Sequence, residues 1–363
     1  MARDSLGKYN TKLASRSVRF HALFTTYYLQ ALARELLPEE RVKICMRAIK
    51  FGRSTVDIVR IPDTRKARYK GLIRCTSIWN CPVCASQITE HRRIELSKAL
   101  AKSTYKVALI TYTIRHNYSQ SLVEILGVLK TAYDRMKSGR ASVELREDFG
   151  WIGSIRSLEI THGSNGWHPH MHELVLFDEM DTDIARKLEI EMQDRWVIRV
   201  QQVGGSANRA NGLTVLYSEK DISDYLEKWG RLPKQSSWTI VHELTKQPVK
   251  VGRRGGRTPY ELLIDYGGGD KQSGALFVEY ASAFKGSSQL QWSRGLRDLL
   301  GIGKEQSDSG VIEEEDSADH TVLARLERQD WVLILNSNKQ AELLNVAGSG
   351  SESDIWEFIE GLR

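Results

Sequence analysis

The chain has 363 residues, 41% hydrophobic and 27% charged, a balance that suits a globular protein and excludes an intrinsically disordered one. No uncharged apolar run is long enough to cross a bilayer, and residues 1–8 have no apolar segment behind them. The expectation is a cytoplasmic protein with no membrane partner. The net charge of +6 conceals a division: residues 301–363 hold 5 Lys and Arg against 14 Asp and Glu, whereas the first 300 hold 47 against 32. A body at +15 suits a polyanionic partner, because phosphate neutralisation dominates nucleic-acid affinity.

Residues 1–104 read as a basic N-terminal region that includes a cysteine knuckle. Helical periodicity runs over 23–37 and stops at Pro38. Cys81 and Cys84 form a Cys-x-x-Cys pair, and Cys75 lies shortly before them. Thiolates at this spacing suit a structural, tetrahedral Zn²⁺, which would rigidify a loop lacking a core of its own. The fourth ligand is open between Cys45, the one remaining cysteine, and His91 on the helix that follows. A disulfide is disfavoured in a reducing compartment, and a redox Cys-x-x-Cys lacks the βαβ pattern around it.

Residues 106–114 read as a buried strand, and Ser119 as the cap of an amphipathic helix over 120–136. Two more strands follow, over 151–161 and from His168 or Pro169 to Phe177, separated by turn residues. In the second of these, His168, His170 and His172 alternate with apolar residues and so share one face. Imidazoles two apart on a strand suit a divalent metal. If the hairpin closes over 163–166, His162 pairs with Trp167 and Glu159 lies directly across from His170, on the histidine face. A slip of one residue would turn Glu159 away. Thr182 to Val197 reads as a covering helix and 211–217 as a short strand.

A helix over 218–230, capped by Ser218 and ended by Gly230, would carry Asp221, Tyr225 and Lys228 on one face. A carboxylate, a phenol and an ammonium there suit water activation, nucleophilic attack and phosphate charge stabilisation. Asp221 also suits the helix N-terminus for capping alone, Tyr225 a core and Lys228 solvent. Residues 239–245 read as a strand. Arg253, Arg254 and Arg257 lie in a glycine-rich basic loop suited to phosphate contact. An acidic, serine-rich linker is expected over 301–320, then a small acidic appendage over 321–363. The fold class expected is α+β, with a central antiparallel sheet flanked by helices.

His170-Met171-His172 resembles the His–hydrophobic–His motif of HUH endonucleases, and Tyr225-Leu226-Glu227-Lys228 their Tyr-x-x-Lys motif. With Leu158-Glu159-Ile160-Thr161 and the Cys75–Cys84 segment, the chain resembles Rep proteins that initiate rolling-circle replication of small plasmids. The likeness spans about 75–299. It implies an HUH nicking domain over 105–300, with Glu159, His170 and His172 holding Mg²⁺ or Mn²⁺. It further implies Tyr225 as nucleophile, Lys228 beside the phosphate, and a 5′-phosphotyrosine intermediate on single-stranded or stem-loop origin DNA. A host helicase and polymerase are the implied partners. Asp221 stands where some members carry a water-activating Glu, and its shorter reach leaves that role open. Three other readings compete: an HUH relaxase or transposase, a metal-dependent hydrolase needing no tyrosine, and a non-catalytic DNA-binding protein.

Overall fold

The computed structural model describes residues 23–62, 64, 66–217 and 256–363. Its strands are β1 (Val56–Arg60), β2 (Ala67–Lys70), β3 (Lys106–Thr113), β4 (Trp151–Gly163), β5 (Gly166–Phe177), β6 (Leu213–Leu216), β7 (Gln291–Trp292) and β8 (Thr321–Leu326). They form two antiparallel sheets, β2-β1-β8 and β6-β3-β5-β4-β7. The fold is therefore α+β with antiparallel sheets flanked by helices, as the alternating strand and helix patterns imply. The chain divides into two compact units, Met1–Ile88 with Gln306–Arg363, and Thr89–Glu305.

The larger unit is organised by the β4–β5 hairpin. Its turn, Ser164-Asn165, is the two-residue kind, closed by the Gly163–Gly166 pair. Gly166 has φ +85°, and a Cβ there would meet the Tyr118 Cα at 2.9 Å, so only glycine fits. The strand consequently begins at Gly166, two or three residues before the sequence signal at His168 or Pro169. β3 pairs along the other edge of β5, setting Thr111 across from His172 and Thr113 across from His170.

The sheet has two different faces. On one, the helices Leu122–Met136 and Thr182–Gln201 supply Tyr133 and Trp196, whose rings meet Tyr112 edge-on at 5.3 and 5.0 Å. The first of these helices starts later than expected. Ser121, not Ser119, is its cap, because Ser121 and Glu124 form a reciprocal capping box. The expected strand over 211–217 narrows to β6, since Asn208 caps a helical turn, Arg209–Gly212, immediately before it. On the opposite face, Val107, Leu109, Ile155, Leu174 and Leu176 pack against Leu96, Ala99 and Leu100 of the helix Pro82–Lys102, and against Leu290, Leu296 and Leu300. Truncating one such leucine to alanine costs about 2–5 kcal/mol. Farther along these strands the same face turns polar, and there the histidines lie.

In the smaller unit, β8 pairs with β1. Trp331 donates to the Arg47 carbonyl at 2.8 Å and meets Tyr69 edge-on at 4.8 Å. The region expected as an acidic linker contains a helix, Asp308–Ser317, whose Glu315 and Asp316 pair with Arg68 and Lys50 at 2.6 and 2.9 Å. The stretch expected as an appendage thus completes a sheet begun by residue 56.

Candidate metal centres

Glu159, His170 and His172 lie on one sheet face, as the register argument requires. Glu159 pairs with His170, His162 with Trp167, and Ser157 with His172 across the ladder. The Glu159 carboxylate reaches His172 Nε2 at 2.9 Å. The His170 and His172 rings lie parallel, their centroids 5.9 Å apart. Glu159 and His172 are buried, and His170 is half-buried.

The sequence reading passed over Thr111 and Thr113. Their hydroxyls contact Nδ1 of His172 at 3.0 Å and of His170 at 3.1 Å. An ionised carboxylate only accepts, so in the neutral imidazole His172 Nε2 would donate to Glu159 and the Thr111 hydroxyl would donate to Nδ1. When Nε2 gives up that proton, the hydroxyl rotates and accepts from Nδ1–H, fixing the tautomer a metal needs. One carboxylate and two imidazoles suit a divalent cation by donor type, although their donor atoms do not all lie within 4.8 Å of one another as the four cysteine sulfurs do. A second observation agrees with this fit: the Ser157 hydroxyl, across from His172, is buried and has no hydrogen-bond partner among the described residues.

His168 packs beside this arrangement, its ring meeting that of His170 edge-on with centroids 4.3 Å apart. Its ring contacts His116, which also meets the Asn165 carbonyl at 3.1 Å. Burial, then the neighbouring His116, lower the His168 pKa below the ordinary imidazole value. Arg257 is likewise committed. Its backbone bridges His162, and its guanidinium reaches Asp265 at 3.1 Å and Ser273 at 2.8 Å. That anchorage fixes a residue expected in a flexible loop. Asp221, Tyr225, Lys228, Arg253 and Arg254, with the expected helix over 218–230 and the strand over 239–245, lie outside the described residues.

The second cluster is sulfur. Cys45, Cys75, Cys81 and Cys84 are buried, with all four sulfur atoms within 4.8 Å of one another. Cys45, rather than His91, is thus the fourth member. Sulfur separations are 3.7 Å for Cys45–Cys81, 3.6 Å for Cys45–Cys84 and 3.7 Å for Cys75–Cys84. A tetrahedron with Zn–S bonds of about 2.3 Å has edges of about 3.8 Å, so the donor set and its spacing fit Zn²⁺. Hydrogen bonds from Cys45, Cys75 and Cys81 hold the Cys84 thiol well below its ordinary pKa against the effect of burial, and Arg74 adds to this. Met46 and Thr76, each following a cysteine of the cluster, take left-handed backbone at φ 56° and 54°. Such strain persists where the surroundings over-determine it.

The chain is similar to a protein named "Protein rep" from Streptomyces lividans, 28% identical over 310 residues, covering 68% of this chain. The likeness is to a Rep protein. The match spans 66% of that protein's length, just under two thirds. A protein named "Neomycin resistance protein" from Streptomyces cyanogenus is 31% identical over 134 residues, covering 29% of this chain and 31% of that one. No family profile and no solved structure matches the chain. Among the described residues, no helix is long and apolar enough to cross a membrane.

Proposed function

We propose that this chain is a cytoplasmic plasmid replication initiator of the HUH class, which nicks and rejoins unpaired origin DNA. The observation that carries the reading is the convergence of Glu159, His170 and His172 on one sheet face, in a chain similar to a Rep protein. A basic body of +15 supports DNA as the partner.

In this reading the Tyr225 hydroxyl attacks the scissile phosphorus. The new bond joins its oxygen to phosphorus, the bond to the 3′ oxygen breaks, the phenolic proton passes to solvent, and the departing 3′ oxygen takes up a proton from solvent. The products are a 5′-phosphotyrosyl strand and a free 3′-hydroxyl that serves as primer. Lys228 offsets charge on the phosphate, and Asp221 takes a proton from water in the closing step. Glu159, His170 and His172 would hold Mg²⁺ or Mn²⁺, which supplies Lewis-acid polarisation of the phosphate. Thr111 and Thr113 orient the two imidazoles. Cys45, Cys75, Cys81 and Cys84 would hold a structural Zn²⁺, a host helicase separates the strands and a host polymerase extends the exposed primer.

Incubation with a stem-loop oligonucleotide and Mn²⁺ tests the proposal. The parent chain should give a covalent protein–DNA adduct, and Tyr225→Phe should give none while still binding DNA. Adducts persisting in that variant, or cleavage without an adduct in the parent, would overturn the tyrosine mechanism. The second outcome favours a metal-dependent hydrolase, and retention without cleavage a binding protein.

A further inference from the structure

Residues 41–54 carry five basic side chains and no acidic one. The segment is held at both ends of its backbone. Cys45 belongs to the sulfur cluster, Met46 donates to the Ile73 carbonyl at 2.9 Å, Ile73 to Ala48 at 2.8 Å, and Lys50 to Gly71 at 2.8 Å. The Arg53 amide then donates to the Lys50 carbonyl at 3.1 Å, closing a turn with Gly52 at φ +80°. At the tip of that turn Phe51 is fully exposed, at 105% of its reference area. Such a ring contributes nothing to the fold, and it projects from a rigid mount. Lys50 and Arg53 are paired with Asp316 and Asp57, whereas exposed Lys43 and Arg47 make no ion pair among the described residues.

We propose that this turn is a second DNA-contact surface, distinct from the nicking residues, in which Phe51 stacks on an unpaired base while Lys43 and Arg47 contact backbone phosphates. The choice of DNA rests on the function proposed above. A protein partner is disfavoured because the exposed apolar area of the segment is small, the Phe51 ring and part of Ile44, whereas a stacking ring beside positive charge is the recurring platform for single strands. The sulfur cluster anchors the base of the turn, so the ring is presented with little conformational freedom to lose on binding.

Fluorescence anisotropy tests this with the full chain carrying Tyr225→Phe, so that no cleavage intrudes. The probes are labelled oligothymidylate, a duplex of equal length and oligouridylate. Phe51→Ala should weaken oligothymidylate binding about fivefold or more, with the salt dependence unchanged, and Phe51→Trp should retain it. Lys43→Ala with Arg47→Ala should lessen the slope of log affinity against log salt by about 1.4. Because the Phe51 ring is fully exposed, an unchanged melting temperature checks the fold. Parent-like binding by Phe51→Ala overturns the proposal, as does an equal loss on the duplex or tighter binding of oligouridylate. Absence of an adduct in the nicking assay would defeat the nuclease reading alone and leave these affinities unaffected.

Discussion

Glu159 lies across the β4–β5 ladder from His170, yet its carboxylate meets the next histidine along, His172, at 2.9 Å. The diagonal is what draws three strands into one site. His172 is bound on its other side by Thr111 of β3, so its ring is clamped between neighbouring strands. The imidazole plane is therefore set by the sheet and not by a loop.

This clamp makes Thr111→Val and Thr113→Val informative. Each removes the hydroxyl at Nδ1 of one imidazole while leaving the imidazole in place. Partners of this kind commonly contribute 10- to 100-fold in metal affinity. Each variant is expected to weaken Mn²⁺ binding by about that factor, with Glu159→Gln more damaging than either. Calorimetric titration of Mn²⁺ checks the order. Threonine variants that bind Mn²⁺ as tightly as the parent would remove the threonines from the site.

Much of this arrangement was legible in the sequence. Alternation on β5 and a two-residue turn fix the hairpin register, and register fixes the position of Glu159. Thr111 and Thr113 obey the same alternation, but their partner strand is more than fifty residues away and no local pattern gives that pairing. The same limit hid β8, which pairs with β1 from the far end of the chain. Cys45 was legible only by count, because its distance from Cys81 gives no spacing to read. The Ser119 expectation failed for a different reason: the Ser121–Glu124 capping box was present in the sequence and outcompeted it.

The sulfur cluster predicts one zinc per chain and a strong dependence of folding on it. Replacing Cys84 with serine removes the sulfur held within hydrogen-bonding distance of both Cys45 and Cys75. Elemental analysis is expected to find one Zn²⁺ in the parent and none in Cys84→Ser, with a large loss of melting temperature. Chelation of the parent should reproduce that loss. A parent that folds fully without metal would reduce the cluster to four buried thiols.

Gly166→Ala addresses the hairpin turn. The substitution puts a Cβ on a left-handed residue and drives it to 2.9 Å from the Tyr118 Cα. A cost of about 1–3 kcal/mol is expected from the backbone conformation, with backbone displacement added. Because the turn sets the register of the ligand face, Mn²⁺ affinity should fall together with stability. Equilibrium denaturation and metal titration on the same variant measure the two. A stability change within error would mean that the turn relaxes without cost.

On the opposite face of β5, Glu173 is fully buried and accepts from Tyr112 at 2.8 Å, Tyr133 at 2.7 Å and Lys137 at 3.0 Å. Burial raises its pKa, but Lys137, aided by hydrogen bonds from Ser154 and Tyr133, brings it below the ordinary carboxylate value. A carboxylate whose folded pKa is depressed contributes stability above its unfolded pKa of about 4.3, and that contribution fades as pH falls through the lower folded value. Lys137→Met leaves the carboxylate buried without its cation, and a loss of about 3–5 kcal/mol at neutral pH is expected. Without the ammonium, burial should push the Glu173 pKa above its unfolded value, so the variant would regain stability relative to the parent on acidification. Urea denaturation between pH 4 and pH 7 reads both effects. A stability gap between variant and parent that widens as pH falls would contradict the pairing of Lys137 with an ionised Glu173.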